Sequence, residues 1–127
     1  MKKEIYNLLK QYWGYESFLP LQEETIGSIL KGYDSLTVLP TGGGKSLCFQ
    51  LPVLLESSMA VVISPLISLM KDQVDALNDI GLRAAFLNSS LTAIQQKAVI
   101  SNIRDNKIKL LYMSPERLHA QATLDLL

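Results

Sequence analysis

The chain has 127 residues, a length that fits one domain and is short for two. Hydrophobic residues make up 48% of the sequence, which is enough for a packed core and excludes an intrinsically disordered chain. Twelve lysines and arginines balance twelve acidic residues, which excludes a globally basic nucleic-acid binder but not a local groove for a phosphate backbone. The single cysteine excludes an internal disulfide, and no apolar run is long enough to span a bilayer, so we expect no membrane partner.

The predicted elements alternate between helices and strands. Two amphipathic helices open the chain, one around residues 5–12 and one in which Pro20 suits the first helical position and which ends at Gly32. β-rich runs follow at residues 35–39, 59–63, 84–87 and 108–113, and helical patterns separate them at 45–55, 65–81 and 91–104. Strands that are apolar throughout and alternate with helices predict βαβ units and a parallel sheet buried on both faces. The alternation is still running where the chain stops, so we expect a fragment of a longer protein.

A glycine-rich stretch between a predicted strand and a predicted helix carries the most specific chemistry, Thr41-Gly42-Gly43-Gly44-Lys45-Ser46. Glycines let the backbone turn so that successive N–H groups face phosphate oxygens. Lys45 supplies a charge to the β- and γ-phosphates, and the Ser46 hydroxyl is a ligand for Mg²⁺. The strict pattern G-x-x-x-x-G-K-[ST] is broken at its first position, where Leu39 stands. We expect this loop to bind a nucleoside triphosphate.

The acidic residue that usually orients the nucleotide-bound Mg²⁺ ends a buried strand. No acidic residue after Ser46 follows an apolar strand here: Asp72, Asp75 and Asp79 lie at helical spacing, and Asp105 lies in a polar turn. The sequence therefore predicts a phosphate site without the Mg²⁺-orienting acid and without the carboxylate that would activate water.

Two predicted strands end in the same dipeptide, Ser64-Pro65 and Ser114-Pro115. A serine N-cap followed by a proline at the first helical position leaves backbone N–H groups at the carboxyl edge of a parallel sheet, where ligands of such sheets bind. Spacing alone fits an ordinary helix start better than a binding site.

Four motifs in order make the chain resemble the N-terminal part of a RecQ-type DNA helicase of the second helicase superfamily. They are Trp13-Gly14-Tyr15 with Gln22, Thr41-Gly42-Gly43-Gly44-Lys45-Ser46, Ser64-Pro65-Leu66 and Ser114-Pro115-Glu116-Arg117, which resemble the family's motifs zero, I, Ia and Ib. The resemblance covers essentially the whole chain. It implies an α/β fold, namely a RecA-like P-loop NTPase lobe with a parallel sheet flanked by helices, truncated before the Asp-Glu-Ala-His motif. Residues 1–127 then form the N-terminal portion of the first RecA-like ATP-binding domain, with 1–32 as the helical motif-zero segment and 33–127 as the βαβ core.

The resemblance also implies roles for individual residues. Gln22 reads the adenine edge and Tyr15 stacks on the base, while Lys45 is the catalytic lysine on the phosphates of ATP. Leu19 stands where the family usually has arginine, and leucine gives up a cation–π contribution of about 0.5–2 kcal/mol. We therefore expect weaker discrimination for adenine. Contacts to single-stranded DNA are implied for Ser64, Pro65, Leu66, Ser114, Pro115 and Arg117.

The function implied by the resemblance is that of an ATP-dependent 3′-to-5′ DNA helicase acting on single-stranded or forked DNA in repair and recombination. Such a protein is expected in the cytoplasm with the bacterial nucleoid, or in the nucleus of a eukaryote. ATP in these motors lies between two lobes, and the second lobe supplies an arginine finger. Because the chain carries only part of one lobe, we expect it to be inactive alone and to need the remainder of the helicase.

Two other functions stay open at this stage. One is a stand-alone, non-catalytic nucleotide-binding or interaction module. The other is a small P-loop kinase, which is disfavoured because its lid needs several arginines and the chain has only Arg83, Arg104 and Arg117.

Overall fold

A computed structural model describes residues 2–39, 44–119 and 125. It divides the chain into two compact units, Met1–Ser57 and Ser58–Leu127. The predicted division into segments 1–32 and 33–127 of one lobe stays a prediction. Among the described helices, none is long and apolar enough to cross a membrane.

Helices are the secondary structure of the first unit among its described residues. Helix α1 (Lys2–Leu8) continues into a π-helical turn (Leu9–Trp13), and α2 (Gln22–Leu30), α3 (Lys45–Gln50) and a 3₁₀ turn (Pro52–Leu55) follow. Apolar side chains from three segments form its core, with Ile5 and Leu9, and Leu47 and Leu51, each one helical turn apart. Each core residue is at most 6% exposed: Ile5, Leu9, Ile26, Leu47 and Leu51.

The ends of α2 test two sequence predictions. Gly32 ends the helix as predicted: its φ is +84°, and the N–H groups of Gly32 and Tyr33 donate to the carbonyls of Ile29 and Ser28 in a Schellman arrangement. The prediction that Pro20 occupies the first helical position is wrong. Helix α2 begins two residues later, because Leu21 adopts a left-handed conformation with a φ of 72° and turns the chain into the helix.

The predicted strand at residues 35–39 is also wrong. This segment carries strand-like residues, but it pairs with no strand among the described residues. Its hydroxyls bind α2 instead: Ser35 Oγ lies 2.7 Å from Ser28 Oγ, and Thr37 Oγ1 lies 3.1 Å from Thr25 Oγ1. Leu36 and Val38 alternate with these hydroxyls and are 94% and 79% exposed. High β-propensity reflects how well a side chain packs on a half-buried sheet surface. It does not produce a strand where no neighbouring strand is available to form hydrogen bonds.

The second unit contains a parallel sheet, as predicted. Strands β1 (Ala60–Ile63), β2 (Ala84–Leu87) and β3 (Leu110–Met113) are ordered β1-β3-β2, and both pairs are parallel. Helix α4 (Ile67–Asp79) packs on β2 and β3, and α5 (Ala93–Arg104) packs on β2. Connections of this kind place a helix between parallel strands, which is the βαβ arrangement that the alternation predicted.

Burial on both faces holds for β3 alone. All four residues of β3 are at most 1% exposed, because β3 is the central strand of the described sheet and α4 packs on it. Strand β1 lies at an edge of the described sheet and alternates, with Val61 37% and Ile63 42% exposed. The prediction of strands buried on both faces is therefore wrong for β1.

Candidate functional site

The first unit contains a cleft of about 510 Å³, which is lined by residues from two separate stretches of the chain, 13–22 and 44–50. This volume lies within the range of small-ligand pockets. Its lining comes from the π-helical turn, the loop before α2 with the first residue of α2, and α3 with the glycine before it: Trp13, Tyr15, Ser17, Leu19, Gln22, Gly44, Lys45, Ser46, Leu47 and Gln50. Six of the residues predicted to bind the nucleotide therefore line one cleft.

Gln22 connects the two sides of this cleft. Its side chain is only 4% exposed. The Oε1 atom accepts a 2.8 Å hydrogen bond from the N–H of Leu19, and Nε2 donates a 3.0 Å hydrogen bond to the carbonyl of Gly44. One buried amide thus joins the loop before α2 to the residue that precedes α3.

The same amide keeps capacity for a ligand. A glutamine side chain has two N–H donors and an oxygen with two lone pairs. The hydrogen bonds to Leu19 and Gly44 use one of each. A ligand edge that offers one donor and one acceptor can therefore bind Gln22 while the connection persists.

The loop before α2 is fixed by its own backbone. The backbone N–H of Gln22 also donates a 3.1 Å hydrogen bond to the carbonyl of Leu19. Tyr15 and Leu19 are 61% and 49% exposed where they line the cleft. Large apolar surfaces left exposed beside a buried polar group are typical of a ligand site.

The described part of the phosphate loop lies at the other end of the cleft. Gly44 adopts a left-handed conformation, with a φ of 73° and a ψ of 41°, and α3 begins at Lys45 as predicted. Lys45 is exposed and Ser46 is half-buried, and both line the cleft. The predicted phosphate contacts at Thr41, Gly42 and Gly43 lie outside the described residues.

Cys48 also contacts Gly44, but as a structural residue. Its Sγ lies 3.8 Å from the Gly44 carbonyl, one helical turn earlier. Burial raises the pKa of the Cys48 thiol, so the thiol stays protonated at neutral pH and is a poor nucleophile.

The lining residues Ser17, Leu47 and Gln50 were missed by the sequence analysis, and Trp13 was not assigned to the site. The position of Gln50 in the site could have been predicted, because it lies four residues after Ser46 and therefore on the same face of α3. Ser17 lies in an irregular loop, where spacing gives no such signal.

A second group of predicted residues lies at the carboxyl edge of the sheet in the second unit. The register pairs Ile63 with Met113 and Leu87 with Met113, so the residues after them share that edge. They are Ser64, Asn88 and Ser114. Sequence reasoning missed Asn88, which is 1% exposed and whose Oδ1 accepts the N–H of Ser90 at 2.8 Å. Its position directly after an apolar strand, like that of the two serines, was the available signal.

The predicted N-cap at Ser64 is wrong. Helix α4 begins at Ile67 with Leu66 as its N-cap, and Ser64 Oγ instead accepts the N–H of Leu66 at 3.1 Å. The backbone N–H of Leu66, which the prediction left available for a ligand, is therefore hydrogen-bonded to the Ser64 hydroxyl. Pro65 and Leu66 are exposed beside it.

The corner after β3 follows the prediction more closely. Pro115 opens a 3₁₀ helix (Pro115–His119) directly after Ser114, which is 2% exposed. Arg117 is half-buried, and its Nη1 donates to Gln96 Oε1 at 3.4 Å. Within the described residues, Arg117 Nε is the one buried side-chain nitrogen or oxygen without a hydrogen-bond partner.

Comparison with known proteins decides the family. The model of the DEAD/DEAH box helicase family matches residues 19–125. The chain belongs to this family. The resemblance to RecQ-type helicases is also confirmed: the chain is 48% identical over 126 residues to the ATP-dependent DNA helicase RecQ of Haemophilus influenzae. That match covers 99% of this chain and 20% of the relative's length.

Solved structures confirm the helicase fold. A hypothetical ATP-dependent RNA helicase from Sulfolobus tokodaii aligns with a TM-score of 0.72 at 21% identity, over 100% of this chain and 38% of that one. The DUF1998 helicase MrfA bound to DNA aligns with a TM-score of 0.73 at 22% identity, over 94% of this chain and 18% of that one. One of these proteins is described as an RNA helicase and the other is bound to DNA, so the shared fold alone does not select DNA or RNA.

The contact between Gln22 and Gly44 gives a direct prediction. A Cβ at Gly44 would overlap Gln22 Nε2, and its φ of +73° costs an L-residue about 1–2 kcal/mol. We expect Gly44→Ala to lower the free energy of unfolding by about that amount, and to lower the affinity for a fluorescent ATP analogue about tenfold.

Gly27→Ala is the matched control, because a Cβ there meets no atom within 4 Å. Since Gly27 lies inside α2, we expect this variant to be more stable by about 0.5–1 kcal/mol and to bind the analogue unchanged. Wild-type affinity in Gly44→Ala would contradict the assignment of this cleft to the nucleotide.

Proposed function

We propose that the chain binds ATP in the cleft between the loop before α2 and the start of α3, as part of an ATP-dependent DNA helicase. The observation that carries the proposal is the Gln22 amide, which joins that loop to Gly44 immediately before Lys45. We extend the proposal to 3′-to-5′ movement on single-stranded or forked DNA in repair and recombination, with the protein located beside chromosomal DNA. Support for this extension comes from the RecQ-type relatives, of which the chain spans about a fifth.

The base end of the cleft suits adenine. A glutamine amide binds adenine through two hydrogen bonds, accepting from N6 and donating to N7. Gln22 retains one donor and one acceptor site for this purpose beside its contacts with Leu19 and Gly44. Tyr15 and Leu19 supply exposed apolar surface for the faces of the base. Because leucine replaces a cation at one face, base discrimination is expected to rest on Gln22 and Tyr15.

The phosphate end suits a triphosphate with its metal ion. Lys45 supplies the positive charge, and the Ser46 hydroxyl supplies one oxygen ligand. Mg²⁺ usually keeps several waters and takes one or two carboxylates together with substrate phosphates. The described residues contain no group of three His, Cys, Asp or Glu side chains that could hold a metal. We propose that the ion binds Ser46, water and the phosphates of ATP, with the orienting acid supplied by the rest of the helicase.

Single-stranded DNA is proposed at the carboxyl edge of the sheet, on the segments after β1 and β3. Open α/β sheets bind ligands at this edge. Pro65 and Leu66 offer exposed surface there, and the half-buried Arg117 brings a guanidinium whose Nε lacks an acceptor among the described residues. A phosphate is the acceptor that a guanidinium binds most favourably.

The ATP proposal is tested with Lys45→Ala. A charge-assisted hydrogen bond contributes about 1.5–3 kcal/mol, so the affinity for a fluorescent ATP analogue is expected to fall about tenfold to a hundredfold. Lys31→Ala is the control, because Lys31 is exposed at the end of α2 and outside the cleft lining. Equal affinities in the two variants would refute the proposal.

The DNA proposal is tested with Arg117→Ala and a fluorescent oligothymidylate, titrated at several salt concentrations. Loss of one phosphate contact lowers the slope of log affinity against log salt by about 0.7 for a single strand. Arg104→Ala removes the same charge from the last turn of α5, which runs back toward the amino edge of the sheet. We expect the slope to change in Arg117→Ala and not in Arg104→Ala, and the reverse result would argue against the proposed edge.

A further inference from the structure

Tyr6 lies on α1, outside the cleft lining, yet it contacts both flanks of the loop that carries the base-binding residues. Its hydroxyl donates a 2.8 Å hydrogen bond to Glu23 Oε2, and Glu23 directly follows Gln22. Its ring meets Phe18 edge-on, with ring centroids 4.9 Å apart and an interplanar angle of 73°, and Phe18 directly precedes Leu19. One side chain is therefore attached one residue outside each end of the Leu19–Gln22 turn.

This turn needs external support because it is strained. Leu21 has a φ of 72°, a left-handed conformation that is disfavoured for a residue with a Cβ because the Cβ approaches the following carbonyl oxygen. Such a conformation is retained only where contacts with the surrounding structure stabilise it. The hydrogen bonds from Leu19 N–H to Gln22 Oε1 and from Gln22 N–H to the Leu19 carbonyl close the turn, and Gln22 Nε2 attaches it to Gly44. Tyr6 and Phe18 both pack against the core of the first unit and so provide a second attachment, on the side of α1.

Of the contacts that Tyr6 makes with Phe18 and Glu23, the hydrogen bond to Glu23 depends more strongly on direction. The other partner of Glu23 is Lys2, whose Nζ lies 3.7 Å from Oε1 and whose side chain is 78% exposed. An exposed ion pair of this kind contributes little. The hydrogen bond to Glu23 raises the pKa of Tyr6, so the phenol stays a donor at neutral pH. A neutral donor on a carboxylate forms one of the stronger hydrogen bonds available.

We infer that Tyr6 is a positioning residue for the base end of the cleft: it holds Leu19 and Gln22 in place without touching the nucleotide. The inference rests on the proposed ATP function. It predicts a larger effect on recognition of the base than on the phosphate end, because Tyr6 contacts the residues beside Leu19 and Gln22, whereas Lys45 and Ser46 lie on α3 beyond the further hydrogen bond from Gln22 to Gly44.

The test compares Tyr6→Phe with wild type for two probes, ATP and inorganic tripolyphosphate. Phenylalanine keeps the ring contact with Phe18 and removes only the bond to Glu23. We expect ATP affinity to fall about three- to tenfold, as for loss of one net hydrogen bond, while tripolyphosphate affinity stays within about twofold. Unchanged tripolyphosphate binding also establishes that the variant is folded.

Three further variants separate positioning from general stability. Glu23→Ala is expected to reproduce the loss, and Glu23→Gln, which keeps an acceptor oxygen, is expected to restore most of the affinity. Combining Tyr6→Phe with Glu23→Ala should weaken ATP binding no more than either change alone, since both remove the same bond. Tyr33→Phe, at an exposed tyrosine outside the cleft, should leave both probes unaffected.

Two results would overturn the inference: wild-type ATP affinity in Tyr6→Phe, or an equal loss for ATP and tripolyphosphate. The proposed function fails by a different result. If wild type binds neither probe, or binds ATP no more tightly than tripolyphosphate, the cleft has no base site for Tyr6 to position.

Discussion

The hydrogen bonds of one buried amide determine the candidate nucleotide site. Gln22 accepts from Leu19 and donates to Gly44, so the loop that follows the π-helical turn and the residue that precedes α3 are held at the two ends of one cleft. A buried amide that lacks one hydrogen-bond partner destabilises the fold by the desolvation cost of the unpaired group. Loss of either bond would therefore cost more than the net contribution of one ordinary hydrogen bond. The same amide has capacity left for a ligand. Recognition of the base and placement of the phosphate loop are therefore linked through a single side chain.

This link has a consequence for how the site could respond to nucleotide. A ligand that adds hydrogen bonds to Gln22 does so on a group already bonded to Gly44, and chains of hydrogen bonds strengthen one another in a low-dielectric interior. Occupation of the base end is then expected to stabilise the start of α3, beside Lys45. Tyr6 acts one step further away, because it fixes the strained turn from which Leu19 and Gln22 project.

The sequence predicted the parallel sheet better than it predicted local geometry, and six of the residues it proposed for the nucleotide line one cleft. Apolar runs bounded by Ser-Pro located β1 and β3, since strand cores and their stops are local signals. The segment at 35–39 looked like a strand by the same criteria, but a strand needs a partner, and its hydroxyls bind α2 instead. The left-handed Leu21 and the turn made by Ser64 Oγ could not be predicted, because each depends on contacts that spacing does not encode. Tyr6 gave no signal either, since its partners lie 12 and 17 residues away along the chain.

The central claim is tested most directly by nuclear magnetic resonance of the ¹⁵N-labelled chain. ATP and tripolyphosphate are added in separate titrations, and the side-chain amide of Gln22 is followed together with the backbone amides of Leu19 and Gly44. Both ligands are expected to shift Gly44, and ATP alone is expected to shift the Gln22 side chain and Leu19 strongly. A Gln22 side-chain signal that ATP leaves unmoved while Gly44 shifts would contradict a base site joined to the phosphate loop through this amide.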